Sequence, residues 1–168
     1  WYYSTDRKPE AAKWFRLNAD TYPESVGARA SLVEFLMYAE MWADLSEEGR
    51  QAFEHFPQES AFLELASVGD YNLGRYEEVL ELCDKVLEVS PADSSKTLRA
   101  WSTKGDIYHR LGDAKKAYKA YDKALKINPD YVYVLNNYAY YLSEEGKNLN
   151  KAYLMSRRTV EAEPDNAT

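Results

Sequence analysis

The stretch Trp101–Pro129 reads WSTKGDIYHRLGDAKKAYKAYDKALKINP, and it decides the fold. Leu98, Trp101, Gly105 and Tyr108 recur at the spacing of one helical face, and Ala117, Tyr121 and Ala124 at that of another. Between them lies HRLGDAKK, with Gly112 placed to end the first helix. Pro129 cannot continue the second helix, because its ring removes the amide donor and clashes with the preceding turn. The unit is therefore helix, short turn, helix, proline. Strand signals are absent: there is no sustained alternation and no Asn-Gly turn.

Working outward, Pro23, Pro57, Pro91, Pro129 and Pro164 follow one another at steps of 34, 34, 38 and 35 residues. Each closes a similar phrase, from NADTYPES through VLEVSPAD to TVEAEPDN. A fixed period of this length marks a repeat architecture. The same grid picks out Leu32, Val33, Leu36, Leu45 and Ala52; then Leu63, Ala66, Ser67, Val79, Cys83 and Val86; then Leu135, Tyr138, Ala139, Leu142, Ala152 and Thr159. Four whole repeats result, at 24–57, 58–91, 92–129 and 130–164, within a single array over 1–168. Residues 1–23 are a remnant: Ala11 and Phe15 belong to its second helix, and the opening WYY is the tail of a lost first helix. The four extra residues before Trp101 add about one helical turn. They predict a helix that starts near Ser94 or Ser95, capped by one of these serines. The single extra residue before Pro164 falls in the turn SEEGKNLN, where it leaves both helical faces intact.

The segment Trp101–Pro129 resembles a tetratricopeptide repeat (TPR), whose first helix carries a large residue, then Gly or Ala, then Tyr, and whose second carries Ala, an aromatic, Ala and then Pro. Trp101, Gly105, Tyr108, Ala117, Tyr121, Ala124 and Pro129 fill those places. Two departures stand out. Lys104 takes the place of Leu, with its stem expected to pack and its ammonium to reach water. Gly49 sits where the second helix of the 24–57 repeat should carry an aromatic. The resemblance implies an all-α, right-handed α-solenoid of stacked helix-turn-helix repeats, each hiding a face that it cannot hide alone. It also implies a concave wall, lined by first helices, that holds an extended or helical peptide.

The residues of that wall left over from packing are Glu64, Val68, Tyr71 and Asn72 in the second repeat. In the third they are Arg99, Ser102, Asp106, His109 and Arg110, and in the fourth Tyr133, Asn136, Asn137 and Tyr140. Amides match the paired donors and acceptors of a peptide backbone, and tyrosines give contact area at low entropy cost. Chaperone-tail binding within the family uses Lys and Arg on successive first helices to grip a terminal carboxylate. The matching places here hold Glu64, Val68, Ser102, Thr103 and Asp106, with Asn137 alone resembling that clamp, so the charge-assisted bonds are missing.

Function classes can be excluded from composition. The formal charge is −7 over 168 residues, with a pI near 5.0, which argues against nucleic acid as a partner and against docking on an anionic membrane. No apolar run has the length of a membrane span. His55 and His109 have no metal-site spacing, and Cys83, the one cysteine, falls at a packing position. GDYNLGRY (69–76) echoes a phosphate loop but has Arg75 and Tyr76 where Lys and Ser or Thr are needed. The pairs Glu47–Glu48 and Glu144–Glu145 sit at turns or helix starts, where they complement the dipole. Asn166-Ala-Thr168 is a formal glycosylation triplet. No catalytic constellation, cofactor site or metal site can be assembled. The reading is a non-catalytic scaffold for a protein or peptide partner, with a regulatory or substrate-binding arm of a larger enzyme-containing or envelope-assembly protein as the alternative. Ala152, Met155 and Val160 on the last helix are expected to lack a cover, which points either to a longer parent array that continues past Pro164 or to end-to-end pairing of two copies. The stretch NNYAYYLSEEGKNLNKAYLMSRR (136–158) is similar to repeats of bacterial envelope TPR proteins. That similarity leans to the periplasm or envelope, with cytoplasm as the alternative.

Overall fold

A computed structural model describes residues 7–162; the opening WYY and the Asn166 triplet lie outside them. The described residues form nine α-helices and no strand: α1 (Lys8–Thr21), α2 (Val26–Tyr38), α3 (Trp42–His55), α4 (Ala61–Asn72), α5 (Tyr76–Val89), α6 (Ser94–Arg110), α7 (Ala114–Ile127), α8 (Val132–Glu144) and α9 (Leu149–Ala162). The all-helical class is as expected. The chain divides into two compact units, with the boundary between Val89 and Ser90.

The first unit holds α1 to α5. Leu32, Val33 and Leu36 of α2 and Leu45 and Ala52 of α3 are fully buried. Gly49, which spoils the aromatic position of its repeat, is where α4 passes close to α3. A Cβ there would stand 2.9 Å from the Phe62 carbonyl oxygen and 3.0 Å from Ala66 Cβ. Gly69 of α4 answers it, since a Cβ would stand 2.6 Å from the Trp42 carbonyl oxygen. Small residues facing each other in this way let two backbones approach within the depth of a side chain. Beside this contact, Asp70 is wholly buried. Ser46 Oγ donates to its carboxylate at 2.7 Å, Arg50 pairs with it, and Arg75 Nη1 lies 3.5 Å away. A carboxylate removed from water in this way is tolerated because partners replace its hydration.

The second unit holds α6 to α9 around Tyr121, Ala124, Val134, Leu135, Tyr138, Ala139, Leu142, Ala152 and Met155. Helix α6 starts at Ser94 as expected, but its cap is Asp93, whose carboxylate accepts from the Lys96 amide at 3.0 Å. Lys104 departs further from expectation. Its residue is 5% exposed, and its ammonium lies 5.6 Å from the Trp101 ring and 5.7 Å from the Tyr108 ring. Two electron-rich ring faces hold the cation inside the hairpin rather than letting it reach water. The expected bare face of α9 is also revised. Ala152 and Met155 are buried in the unit's own core, while Val160 is half-exposed together with Leu149, Tyr153 and Leu154.

The turns inside the hairpins repeat one geometry. Gly74, Gly112 and Gly146 have φ of 73°, 81° and 63°, and the equivalent residue of the α2–α3 turn is Glu40, with φ 59°. A side chain in this left-handed region meets its own backbone, at a cost of about 1–2 kcal/mol. Glu40→Gly is therefore expected to stabilise the chain by about 0.5–1 kcal/mol, after the added backbone entropy of the unfolded glycine is subtracted. An upward shift of the urea midpoint would show it; an unchanged or lowered midpoint would reject it.

Candidate functional site

The residues expected to line a binding wall are distributed over both units. Tyr71 and Asn72 belong to α4. The Tyr71 ring meets Tyr76 edge-on at 6.0 Å, and Asn72 Nδ2 donates to the Val68 carbonyl at 2.8 Å. Glu64 and Val68 belong to α4 as well and Arg110 ends α6, and eight more, Arg99, Ser102, Asp106, His109, Tyr133, Asn136, Asn137 and Tyr140, lie on α6 and α8 of the second unit.

Those eight are not equivalent. Ser102 is corrected: it is buried, and its hydroxyl donates to the Leu98 carbonyl at 2.7 Å, so it is a packing residue. Its position one turn beyond Leu98 turns it into the hairpin rather than outward. Arg99 is exposed and donates to Ser95 Oγ at 2.6 Å. His109 lies flat on Tyr141, with ring centroids 3.3 Å apart.

Asp106 is the centre. Tyr133 Oη donates to its Oδ2 at 2.7 Å, and Tyr121 Oη and Asn137 Nδ2 donate to its Oδ1 at 2.5 and 3.0 Å. Three donors from α7 and α8 thus converge on one carboxylate of α6. Hydrogen bonds to an ionised acceptor are short and roughly twice as strong as neutral ones. Burial, and then Asp106, push the Tyr121 phenol far above its ordinary range, so that it stays a proton donor. The Asp106 contacts hold Tyr133 and Asn137 in place. Around them Tyr133 (49% exposed), Asn136 and Tyr140 (57% exposed) face solvent. Tyr140 Oη donates to Glu144 at 2.6 Å, a bond that also raises its pKa.

The sequence reading missed the roles of Tyr121 and Tyr141 at this face. Tyr121 was assigned to packing, which it does, and its hydroxyl serves the face as well. Tyr141 follows Tyr140 and carries the ring on which His109 lies.

A concavity occurs in the first unit. It is an open cleft of about 690 Å³ lined by Arg29, Glu47, Arg50, Gln51, Glu54 and His55. Its basic side chains already have neighbours: Arg29 pairs with Glu48 at 3.5 Å, Arg50 pairs with Asp70, and His55 faces Glu24 at 3.6 Å. Among the described residues no group of three or more His, Cys, Asp or Glu is placed to hold a metal ion, and no helix is long and apolar enough to cross a membrane.

Two models of the tetratricopeptide repeat match the chain, at residues 98–131 and 120–164. Residues 98–164 are tetratricopeptide repeats. The TPR repeat-containing protein MJ1428 of Methanocaldococcus jannaschii is 32% identical over 72 residues, which are 43% of this chain. The match spans 12% of the length of that curated relative. Solved TPR structures share the fold. MamA from Desulfovibrio magneticus RS-1 has a TM-score of 0.76 at 14% identity, over 96% of this chain and 89% of that one. YrrB, described as a TPR protein with an unusual peptide-binding site, has a TM-score of 0.70 at 13% identity, over 98% and 82%. TPR domains typically serve protein–protein interaction and are generally non-catalytic.

Proposed function

We propose that this chain is a non-catalytic scaffold that binds an extended peptide or protein segment on the face shared by α6 and α8. The observation that carries the reading is the convergence of Tyr121, Tyr133 and Asn137 on Asp106. It fixes polar and aromatic side chains before any partner arrives, and side chains ordered in advance lose less entropy on binding. Tyr133, Asn136 and Tyr140 supply ring area and an amide at the edge of this fixed centre, in the combination that suits main-chain recognition. Arg99 and His109 extend the face along α6. Tyr71 and Asn72 of α4 are proposed as binding residues of the first unit by itself.

The test begins with a displayed random-peptide library selected on the whole chain. The best peptide is then titrated against Tyr133→Ala/Tyr140→Ala and against Asp106→Ala. At least a tenfold loss of affinity is expected for each, with circular dichroism confirming retained helix. Wild-type affinity in both variants would reject the face.

A further inference from the structure

Charge is segregated along this acidic chain. Residues 1–89 carry 8 Lys and Arg against 18 Asp and Glu, whereas residues 90–168 carry 13 against 10. The contrast is sharpest on two second helices of hairpins, α5 and α7, at positions one repeat apart. Glu77, Glu78, Glu81 and Glu88 of α5 correspond, 38 residues on, to Lys115, Lys116, Lys119 and Lys126 of α7. Glu77, Glu81 and Glu88 are exposed, as are Lys115, Lys119 and Lys126. Steps of four and seven residues put each trio on one side of its helix, as a ridge of about three turns.

The lysines of α7 are of two kinds. Lys123 lies 3.7 Å from the centre of the Trp101 ring, and Lys116 lies 5.4 Å from the Tyr108 ring while pairing with Asp113 at 2.9 Å. These two lean back onto α6 and its neighbouring turn. Lys115, Lys119 and Lys126 remain as the outward ridge. The one acid on that side, Asp122, pairs with Lys151 at 3.1 Å. On α5 the one base, Lys85, pairs with Glu88 at 3.0 Å. Each ridge is a property of its own unit, and the two have opposite sign and the same spacing.

We propose that Lys115, Lys119 and Lys126 of one copy dock the acidic ridge Glu77, Glu81 and Glu88 of a second copy. The charge complementarity written into equivalent positions selects this occupant. Like-charged ridges repel across a contact, whereas these carry opposite charge at three equivalent positions. Single exposed ion pairs contribute little, so several must form together, and added salt must weaken the contact steeply. This surface is separate from the peptide-binding face of α6 and α8 and does not depend on it.

Sedimentation velocity of the whole chain from 10 to 300 μM, at about 25 mM and about 500 mM NaCl, tests the proposal. Association that grows with concentration is expected at low salt, at least tenfold weaker at high salt. Lys115→Glu/Lys119→Glu/Lys126→Glu should be monomeric throughout, with unchanged circular dichroism because these positions are exposed. Mixing it with Glu77→Lys/Glu81→Lys/Glu88→Lys, itself monomeric alone, should restore association between the two chains, because the untouched acidic ridge of one then meets the untouched basic ridge of the other. Combining all six changes in one chain should restore it. A wild type that stays monomeric at 300 μM and low salt would overturn the proposal. So would wild-type association by the lysine-reversed chain, or association indifferent to salt, which would place the contact on the apolar side of α9.

Discussion

Gly105→Ala is expected to destabilise the second unit by about 2–4 kcal/mol. Gly105 faces Tyr121, and a Cβ would stand 2.8 Å from Tyr121 Cζ and closer still to Cε1 and Cδ1. Tyr121 is fully buried between Ala117, Ala124 and α8, so its ring has nowhere to retreat. Overpacking of a filled core costs about 1–3 kcal/mol. Moving the ring also breaks its bond to Asp106, and a hydrogen bond to a charged group contributes about 1.5–3 kcal/mol. Against this, alanine gains about 1 kcal/mol over glycine in helix propensity. Urea unfolding followed by circular dichroism reads the net effect, and hydrogen exchange should show early opening of α6 and α7. A loss under about 0.5 kcal/mol would mean that Tyr121 has room the packing denies it.

Arg50→Met should cost about 3–5 kcal/mol, for a different reason. Asp70 has no exposed surface, and Arg50 is the partner closest to its carboxylate. Removing the cation leaves the carboxylate with the Ser46 hydroxyl and the more distant, half-exposed Arg75. Breaking a buried pair from one side is costly because a buried charge is left behind, whereas replacing both partners can be nearly neutral. The companion variant Asp70→Asn/Arg50→Met should therefore be more stable than Arg50→Met alone, by about 1 kcal/mol or more. Two single changes that simply add would contradict the coupling. Both variants act in the first unit, so hydrogen exchange in α6 to α9 serves as an internal control.

The hairpins could be read from residue order because packing repeats every 34 to 38 residues. Small residues at Ala117, Ala124 and Ala152 and large ones at Leu45, Tyr121 and Leu135 all lie inside, where the spacing put them. What escaped depends on pairs that no local pattern joins. Asp70 is 24 residues from Ser46 and 20 from Arg50, and at helical spacing it looks like one more solvated acid. Gly49 reads as a degenerate position until Phe62 and Ala66 are seen against it. Lys104 reads as a snorkelling cation until Trp101 and Tyr108 close around it.

The wall residues show the same limit. First-helix positions left over from packing were assigned to a ligand, yet Ser102 turned inward and Asp106 is occupied by three donors. Spacing tells which side of a helix a residue lies on. It does not tell whether the neighbouring helix reaches across to it. Tyr133 and Asn137 lie 27 and 31 residues from Asp106, and only the folded unit brings them to it.

The peptide selected on the chain, titrated into isotopically labelled protein and followed by NMR, measures the proposed role most directly. Shifts should cluster at Asp106, His109, Tyr133, Asn136, Asn137 and Tyr140 and fade away from them. Shifts confined to other helices, with these six unmoved, would contradict the account.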